Sequence, residues 1–188
     1  MPPKPKFTRE KITEAALNIM RARGAESLTA RELGKALGSS PCPIFTLFAD
    51  MDEVKASAMR AARALYGEYI AKGLEAAPAF KGAGMQYIKF AMCEPKLFHL
   101  LFISARDGTP VNILPEIDEN YPEIPHSACA CYALSRDGAE KLYRHMWIYA
   151  HGIATLCATG TCTFTETEAG NMLTEICSAL IKKIKEGV

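Results

Sequence analysis

Residues 28–48 read LTARELGKALGSSPCPIFTLF, and their pattern is the most informative for the fold of the N-terminal part of the chain. Thr29 and Glu32 have the spacing of a capping box, in which each side chain satisfies a free backbone N–H of the other residue. Gly38 permits a left-handed stop, and a Ser-Pro pair two residues later offers an N-cap followed by proline at the first helical position. The stretch therefore predicts two short helices joined by a tight turn. Pro43 disfavours helical angles at Cys42, so the second of these helices is expected to begin late or run tight.

One further helix is predicted before this stretch. Thr8 is its N-cap, its apolar positions recur at helical spacing, and Gly24 ends it. Three short helices over residues 8–48 have the layout of a helix-turn-helix, in which one helix braces against the DNA backbone and the next enters the major groove. A plain N-terminal bundle without a DNA role has the same spacing and is the alternative.

The remaining hydrophobic spacing is also helical, and no run of alternation is long enough to build a sheet. Asp50 and Glu53 frame a second capping box at the start of a long helix that Pro78 closes. Further helices are predicted near 80–92, from Pro95 to about Ser104, from Ser135 to Gly160, and from the Thr165 and Glu168 box onward, whereas the proline-rich residues 106–125 are expected to form a lid or a broken helix. The predicted fold is all-α with about nine helices.

Composition and charge narrow the classes of protein. With 188 residues, of which 49% are hydrophobic, the chain can bury a sizeable core, and a disordered or collagenous chain is excluded. The net charge of +1 argues against a polycation that coats nucleic acid by bulk charge. Residues 1–50 nevertheless carry eight basic and five acidic groups, so that the basic excess is N-terminal.

The cysteine pattern and the absence of a long apolar run predict the compartment. Seven cysteines include no Cys-x-x-Cys pair, the spacing typical of a structural zinc site. The start of the chain does not resemble a signal peptide, and no apolar run approaches the roughly 20 residues that span a bilayer. We therefore expect a cytoplasmic protein with reduced thiols and no membrane partner.

The N-terminal residues also resemble a known family. The segments that carry the likeness are Phe7-Thr8-Arg9-Glu10-Lys11-Ile12, Ala15-Ala16-Leu17, Gly24, Leu28-Thr29-Ala30-Arg31-Glu32-Leu33-Gly34, Gly38-Ser39-Ser40 and Ile44-Phe45 with Phe48. Over about residues 7–60 they resemble the DNA-binding domain of the tetracycline-repressor (TetR) family of bacterial transcription regulators. The resemblance implies a homodimer that binds an operator of two half-sites in double-stranded DNA. It also implies a C-terminal domain whose ligand changes DNA affinity.

This resemblance fixes the expected domains and the expected DNA contacts. Residues 1–50 would form the helix-turn-helix domain, with its reading unit at about 29–49, and residues 51–188 the larger helical domain for effector binding and dimerisation. The expected DNA-contacting residues are Lys6, Arg9, Thr29, Ala30, Arg31, Ser39, Ser40, Pro41, Cys42, Phe45 and Thr46. A helix N-terminus at Thr29 suits a phosphate, and the small groups at 40–42 suit a close approach to base edges.

Three positions depart from the family pattern in the reading unit. Phe45 stands where the family usually has Tyr, Leu47 where it has His or Tyr, and Met51 where it has Lys. Those polar groups commonly touch phosphates, so that their loss implies a weaker sequence-independent attraction and a flatter salt dependence. The apolar positions are kept, and the predicted fold is unaffected.

In the second half, Trp147, His151 and Gly152 look like the Trp-x-x-x-His-Gly signature of one C-terminal subtype of this family, over roughly residues 85–186. On a helix, residues 147 and 151 share a face, which allows the two rings to stack. Gly152 would let a neighbouring helix or a ligand approach closely. The alternative is that His151 is a satisfied histidine of the core or of an interface.

Aromatic and Met residues concentrate in 65–102 and 143–149, which is typical of an apolar small-molecule pocket and equally of ordinary core packing. The predicted effector pocket comprises Tyr66, Tyr69, Phe90, Phe98, His99, Phe102, Met146, Trp147 and His151. It would take a small apolar or aromatic effector, and no cofactor is expected. The last two long helices are predicted to pair across the dimer through Ile153, Leu156, Met172, Leu173, Ile176 and Leu180.

Two other classes of function are alternatives. In the first, the chain is a cytosolic thiol-, metal- or haem-responsive sensor, because Cys42-Pro43 has the pairing that ligates haem in some sensors, and the N-terminal bundle is only a docking module. In the second, the chain is a helical enzyme, but it has no Gly-rich phosphate loop, no Gly-x-Ser-x-Gly elbow and no His-Glu-x-x-His motif. The sequence therefore favours a regulator that is not an enzyme and that an effector releases from its operator.

Overall fold

The computed structural model describes residues 7–104 and 122–187, and within these ranges every regular element is helical. This confirms the all-α prediction. Eight α-helices follow one another: α1 Arg9–Arg23, α2 Ala30–Ala36, α3 Met51–Leu74, α4 Ala79–Cys93, α5 Pro95–Phe98, α6 Glu123–Tyr132, α7 Arg136–Ala158 and α8 Glu166–Lys185. A π-helical turn, His99–Ile103, continues α5. The predicted lid or broken helix over 106–125 lies largely outside the described residues.

The described chain packs as two compact units. The first contains residues 7–65 and 96–101, and the second contains residues 66–95, 102–104 and 122–187. Helix α3 therefore contributes its first fifteen residues to one unit and its last nine to the other. The division into a DNA-binding domain of residues 1–50 and an effector-binding and dimerisation domain of residues 51–188 stays a prediction.

The first unit begins with the predicted α1. The Thr8 hydroxyl accepts a hydrogen bond from the Lys11 backbone N–H at 3.2 Å, and Gly24 ends the helix at a φ of +91°. Buried Ile12, Ala16 and Met20 face the core of this unit, at the spacing that one helical face requires.

The third helix of the helix-turn-helix begins late and is tight, as predicted from Pro43, and it is shorter than the pattern indicates. After Ser40 the chain forms one 3-10 turn, Ile44–Thr46, in place of an α-helix. Pro41 and Pro43 are the physical reason, because neither has a backbone N–H to donate and each ring disfavours helical angles at the residue before it. Buried Ile44 and Phe48 still anchor the segment to the unit's core.

The predicted capping boxes form to different degrees. At α2, the Thr29 hydroxyl accepts from the Glu32 N–H at 3.2 Å, but the Glu32 carboxylate pairs with Arg23 at 2.8 Å, so only half of this box exists. At α8 the box is complete, with Thr165 and Glu168 each accepting from the other's backbone N–H.

The box at α3 is displaced by one residue. Asp50 accepts from the Glu53 N–H at 2.8 Å, as predicted, but the Glu53 carboxylate accepts from the N–H of Ala49 at 2.7 Å. The helix start that the pattern predicts is therefore present, although one of its reciprocal bonds goes to the preceding residue.

In the second unit, α4 and α7 pack against each other, and both contact α6 and α8. The backbones of α3 and α4 meet at two glycines. A Cβ built on Gly82 would lie 2.0 Å from the carbonyl oxygen of Gly73, and one built on Gly73 would lie 2.6 Å from the carbonyl oxygen of Gly82. Only glycine fits at this contact.

Helix α6 was not predicted, because Pro125 in its first turn belongs to the proline-rich stretch that was expected to form a lid or a broken helix.

Candidate functional site

The second unit contains a cavity of about 270 Å³. Helices α3, α4, α6, α7 and α8 all contribute to its wall. The lining is mostly apolar and aromatic: Tyr66, Ile70, Pro78, Phe80, Lys81, Ala83, Gly84, Tyr87, Ile124, Tyr132, Tyr143, Met146, Trp147, Ala150, Leu173, Thr174, Cys177, Ser178 and Ile181. Such walls, with a few polar groups among them, are typical of a small-molecule site.

The polar groups of this lining are neutral apart from one lysine. Burial raises the pKa of the Tyr132 hydroxyl and the pKa of the Cys177 thiol, so that both remain protonated near neutral pH. The Thr174 hydroxyl donates to the Gly170 carbonyl at 2.7 Å. Of the lining residues in the described part of the chain, Lys81 alone carries a charge, and no described carboxylate lines the cavity with it.

Trp147 and His151 stack as predicted, with ring centroids 4.8 Å apart and an angle of 9° between the ring planes. His151 Nδ1 shares a hydrogen bond of 2.8 Å with the hydroxyl of Tyr87 on α4. Through this bond and the stack, His151 positions Tyr87 and Trp147, which both line the cavity, while its own ring is not part of the wall. Gly152 is exposed, and a Cβ there would meet nothing within 4 Å, so within the chain no close approach depends on it.

Titration of His151 is expected to weaken the fold at low pH. Burial lowers the pKa of His151 below the ordinary 6.5, because the partly buried ring loses hydration when it is charged. The unfolded chain therefore takes up this proton more readily than the folded chain, and the free energy of unfolding should fall as the pH decreases below about 6.5. Denaturant unfolding at a series of pH values measures this slope.

The matched pair for that experiment lies on α7. His151→Gln should flatten the slope below pH 6.5, whereas His145→Gln, at an exposed position of the same helix, should leave it unchanged. Equal slopes for the wild type and His151→Gln would contradict the assignment.

Three residues of the predicted pocket line the cavity: Tyr66, Met146 and Trp147. The other six lie elsewhere. Phe90 and Phe98 are fully buried in packed core, Tyr69 and Phe102 contact other aromatic rings edge-on, His99 is exposed in the first unit, and His151 lies behind the wall. The predicted pocket shares helices α3, α4 and α7 with the cavity wall, but it included Phe98, His99 and Phe102 from α5 and the π-helical turn and omitted α6 and α8.

Several lining residues were missed as pocket residues. Lys81 could have been found on a helical wheel, because it lies next to the apolar face of α4 that contains Phe80 and Ile88. Ile124 and Tyr132 belong to the unpredicted α6. Leu173, predicted for the dimer interface, is buried and lines the cavity.

The predicted DNA-contacting residues all belong to the first unit, apart from Lys6, which lies outside the described residues. Thr29, Arg31, Ser40, Cys42, Phe45 and Thr46 are exposed, and Ala30, Ser39 and Pro41 are half-buried. The turn between α2 and the 3-10 turn is tight, because a Cβ on Gly34 would lie 2.9 Å from the Ser39 carbonyl oxygen. Gly38 adopts the predicted left-handed conformation, with φ at +62°.

Arg9 has a different environment from the other residues of this set. Its guanidinium donates to the Leu47 carbonyl, pairs with Glu53, and lies over the Phe48 ring at 4.1 Å from the centroid. These contacts tie α1 to the start of α3. Arg9 therefore stabilises the first unit, and the Glu53 carboxylate compensates its charge.

The residues predicted for the dimer interface divide into two groups. Ile153 and Leu173 are buried within the second unit, and Met172 and Leu180 are half-buried. Leu156 and Ile176 are each 37% exposed, and Ile148, which the sequence pattern missed, is 58% exposed. Ile148, Gly152 and Leu156 follow one another at i, i+4 and i+8 on α7, so they share one face.

The seven cysteines are all free thiols. Within residues 7–104 and 122–187, no three His, Cys, Asp or Glu side chains converge as ligands for a metal ion. In those same ranges no helix is both long and apolar enough to cross a bilayer.

In the described residues, α1, α2 and the 3-10 turn belong to a first helical unit, and a second helical unit contains the apolar cavity. Residues 80–180 match the family described as the tetracyclin repressor-like C-terminal domain. The chain belongs to the tetracycline repressor-like family. Comparison with curated proteins finds no match for this chain. The matched region contains most of the cavity wall, and the particular Trp-x-x-x-His-Gly subtype stays a prediction.

Proposed function

We propose that this protein is a ligand-responsive transcriptional repressor that binds a two-fold symmetric operator as a homodimer and leaves it when a small molecule enters the cavity. The observation that carries the proposal is the apolar cavity within the region that matches the family. A ligand that prefers one of two conformations shifts the population toward it, by no more than its differential affinity for the two.

The first unit supplies the proposed reading surface. Exposed side chains from Thr29 to Thr46 surround the tight turn, and the start of α2 presents backbone N–H groups suited to a phosphate. Because the third element is one 3-10 turn, the groove-facing contacts fall on a short segment with exposed Cys42 and Phe45. This favours base contact by a compact loop over insertion of a long helix.

The exposed apolar residues of α7 and α8 supply the proposed dimer surface. Monomeric proteins tolerate single exposed apolar side chains, but Ile148 and Leu156 share a face, with Gly152 between them. A glycine with open space above it lets a partner helix approach closely. The two-fold axis of the proposed dimer then gives the operator its two half-sites.

Arg31 is expected to contact an operator phosphate. It is exposed at the start of α2 and forms no ion pair with another residue that the structure describes. Arg31→Ala should weaken binding similarly for all DNA sequences and reduce the slope of log affinity against log salt by about 1 per subunit. Fluorescence anisotropy of a labelled duplex at several salt concentrations measures both quantities.

Arg136→Ala is the matched control, because this arginine is also exposed but lies in the second unit and pairs with Glu140. It should leave the affinity and the salt slope unchanged. If Arg31→Ala and Arg136→Ala have the same small effect, the proposed reading surface is wrong.

A further inference from the structure

We propose that the cavity takes a small organic anion with an apolar body and a single carboxylate, and that Lys81 supplies its counter-charge. This deepens the proposed function, since it names the chemical class of the effector, and it rests on that function for any consequence at DNA. The juxtaposition that carries the proposal is one lysine among lining residues that are otherwise uncharged, within residues 7–104 and 122–187.

Helix α4 contains two lysines, Lys81 and Lys89, and only Lys89 has an ionic partner among the described residues. Lys89 pairs with Glu166 at 2.7 Å, and the pairing raises the pKa of Lys89. Lys81, two turns earlier and half-buried, forms no hydrogen bond or ion pair with any described residue. A carboxylate on a ligand in the cavity would give the Lys81 ammonium an acceptor for a charge-assisted hydrogen bond.

The rest of the wall selects against other charge types. Among the lining residues that the structure describes, none is acidic and Lys81 is the one cation, so these residues offer no partner to a cationic ligand or to a second carboxylate. The aromatic rings of Tyr66, Tyr87 and Phe80 instead offer apolar surface to the body of the ligand.

Trp147 also lines the cavity and adds aromatic surface to it, while its buried indole nitrogen has no hydrogen-bond partner among the residues described. A hydrocarbon occupant without acceptors would leave the Lys81 ammonium unpaired.

The test uses the full chain and two matched pairs of probes, octanoate with 1-octanol and 4-phenylbutyrate with 4-phenylbutanol. Trp147 is the one tryptophan of the sequence, so intrinsic fluorescence reports directly on the cavity. In at least one pair, the acid should bind about tenfold or more tightly than its alcohol, as expected for a charge-assisted hydrogen bond.

Three variants test whether Lys81 causes the preference for the acid over the alcohol. Lys81→Met should abolish the preference for the acid while leaving alcohol binding intact, which also shows that the variant is folded. Lys81→Arg should retain the preference, and so should Lys72→Met, which removes an exposed charge outside the cavity. If the acids bind no better than the alcohols in both pairs, or if Lys81→Met keeps the preference, the proposal is overturned.

The same probe then separates this proposal from the regulator proposal. An acid that binds the cavity with the Lys81 dependence and also lowers DNA affinity supports both. An acid that binds in this way and leaves DNA affinity unchanged supports the assignment of the cavity and contradicts effector-controlled release.

Discussion

Gly82→Ala is expected to lower the free energy of unfolding by about 3 kcal/mol, the upper part of the usual range for overpacking. The added Cβ would lie 2.0 Å from the carbonyl oxygen of Gly73, and a backbone atom cannot rotate away as a side chain can. Helices α3 and α4 must therefore separate. Because both helices line the cavity, ligand binding should weaken together with stability. Urea unfolding of the variant and the wild type measures the difference.

Gly67→Ala is the matched control on α3. A Cβ at Gly67 would meet nothing within 4 Å, so alanine should be neutral or stabilise the protein by up to about 1 kcal/mol through its higher helix propensity. A loss of stability at Gly67 as large as that at Gly82 would show that general helix effects, and not the contact between backbones, explain the result.

Ile148→Glu is expected to convert the proposed dimer to a monomer. Ile148 is 58% exposed in the single chain, and it shares a face of α7 with Leu156. A carboxylate buried at the centre of an apolar interface loses its hydration without a partner, so the dissociation constant of the dimer should rise by about a hundredfold or more. Sedimentation equilibrium over a range of protein concentrations measures it, and operator affinity should fall in parallel.

Met92→Glu provides the comparison, since Met92 is also an exposed apolar residue, at 42%, but lies at the end of α4. It should leave the dimer intact. A wild-type protein that sediments as a monomer at all concentrations would contradict the dimer proposal before any variant is made.

Local signals in the sequence predicted the helix starts well, because a cap depends on only a few neighbouring residues. Thr8, Ser135 and Thr165 each cap the helix that the pattern assigned to them. The same local reasoning was incomplete at the two prolines before Ile44. It predicted a helix that begins late or runs tight, and the second proline, which removes another N–H, leaves only a 3-10 turn.

Hydrophobic periodicity along the sequence could not predict contacts between helices or the lining of the cavity. The contact between Gly73 and Gly82 depends on how two consecutive helices cross, and neither position has a local reason to be glycine. The hydrophobic pattern could not separate Tyr66, which lines the cavity, from fully buried Phe90. A hydrophobic pattern records that a side chain is buried, and it does not record whether a packed atom or a void lies opposite.

Selection from a library of random-sequence DNA duplexes tests whether this protein is a sequence-specific, ligand-responsive DNA-binding dimer. The full chain is mixed with the library, the retained duplexes are sequenced, and binding of the recovered duplex is measured with and without 4-phenylbutyrate and octanoate. A sequence-reading dimer predicts enrichment of two half-sites related by two-fold symmetry, and release when an acid occupies the cavity. Retained DNA with the same sequence distribution as the input library would contradict the proposed function.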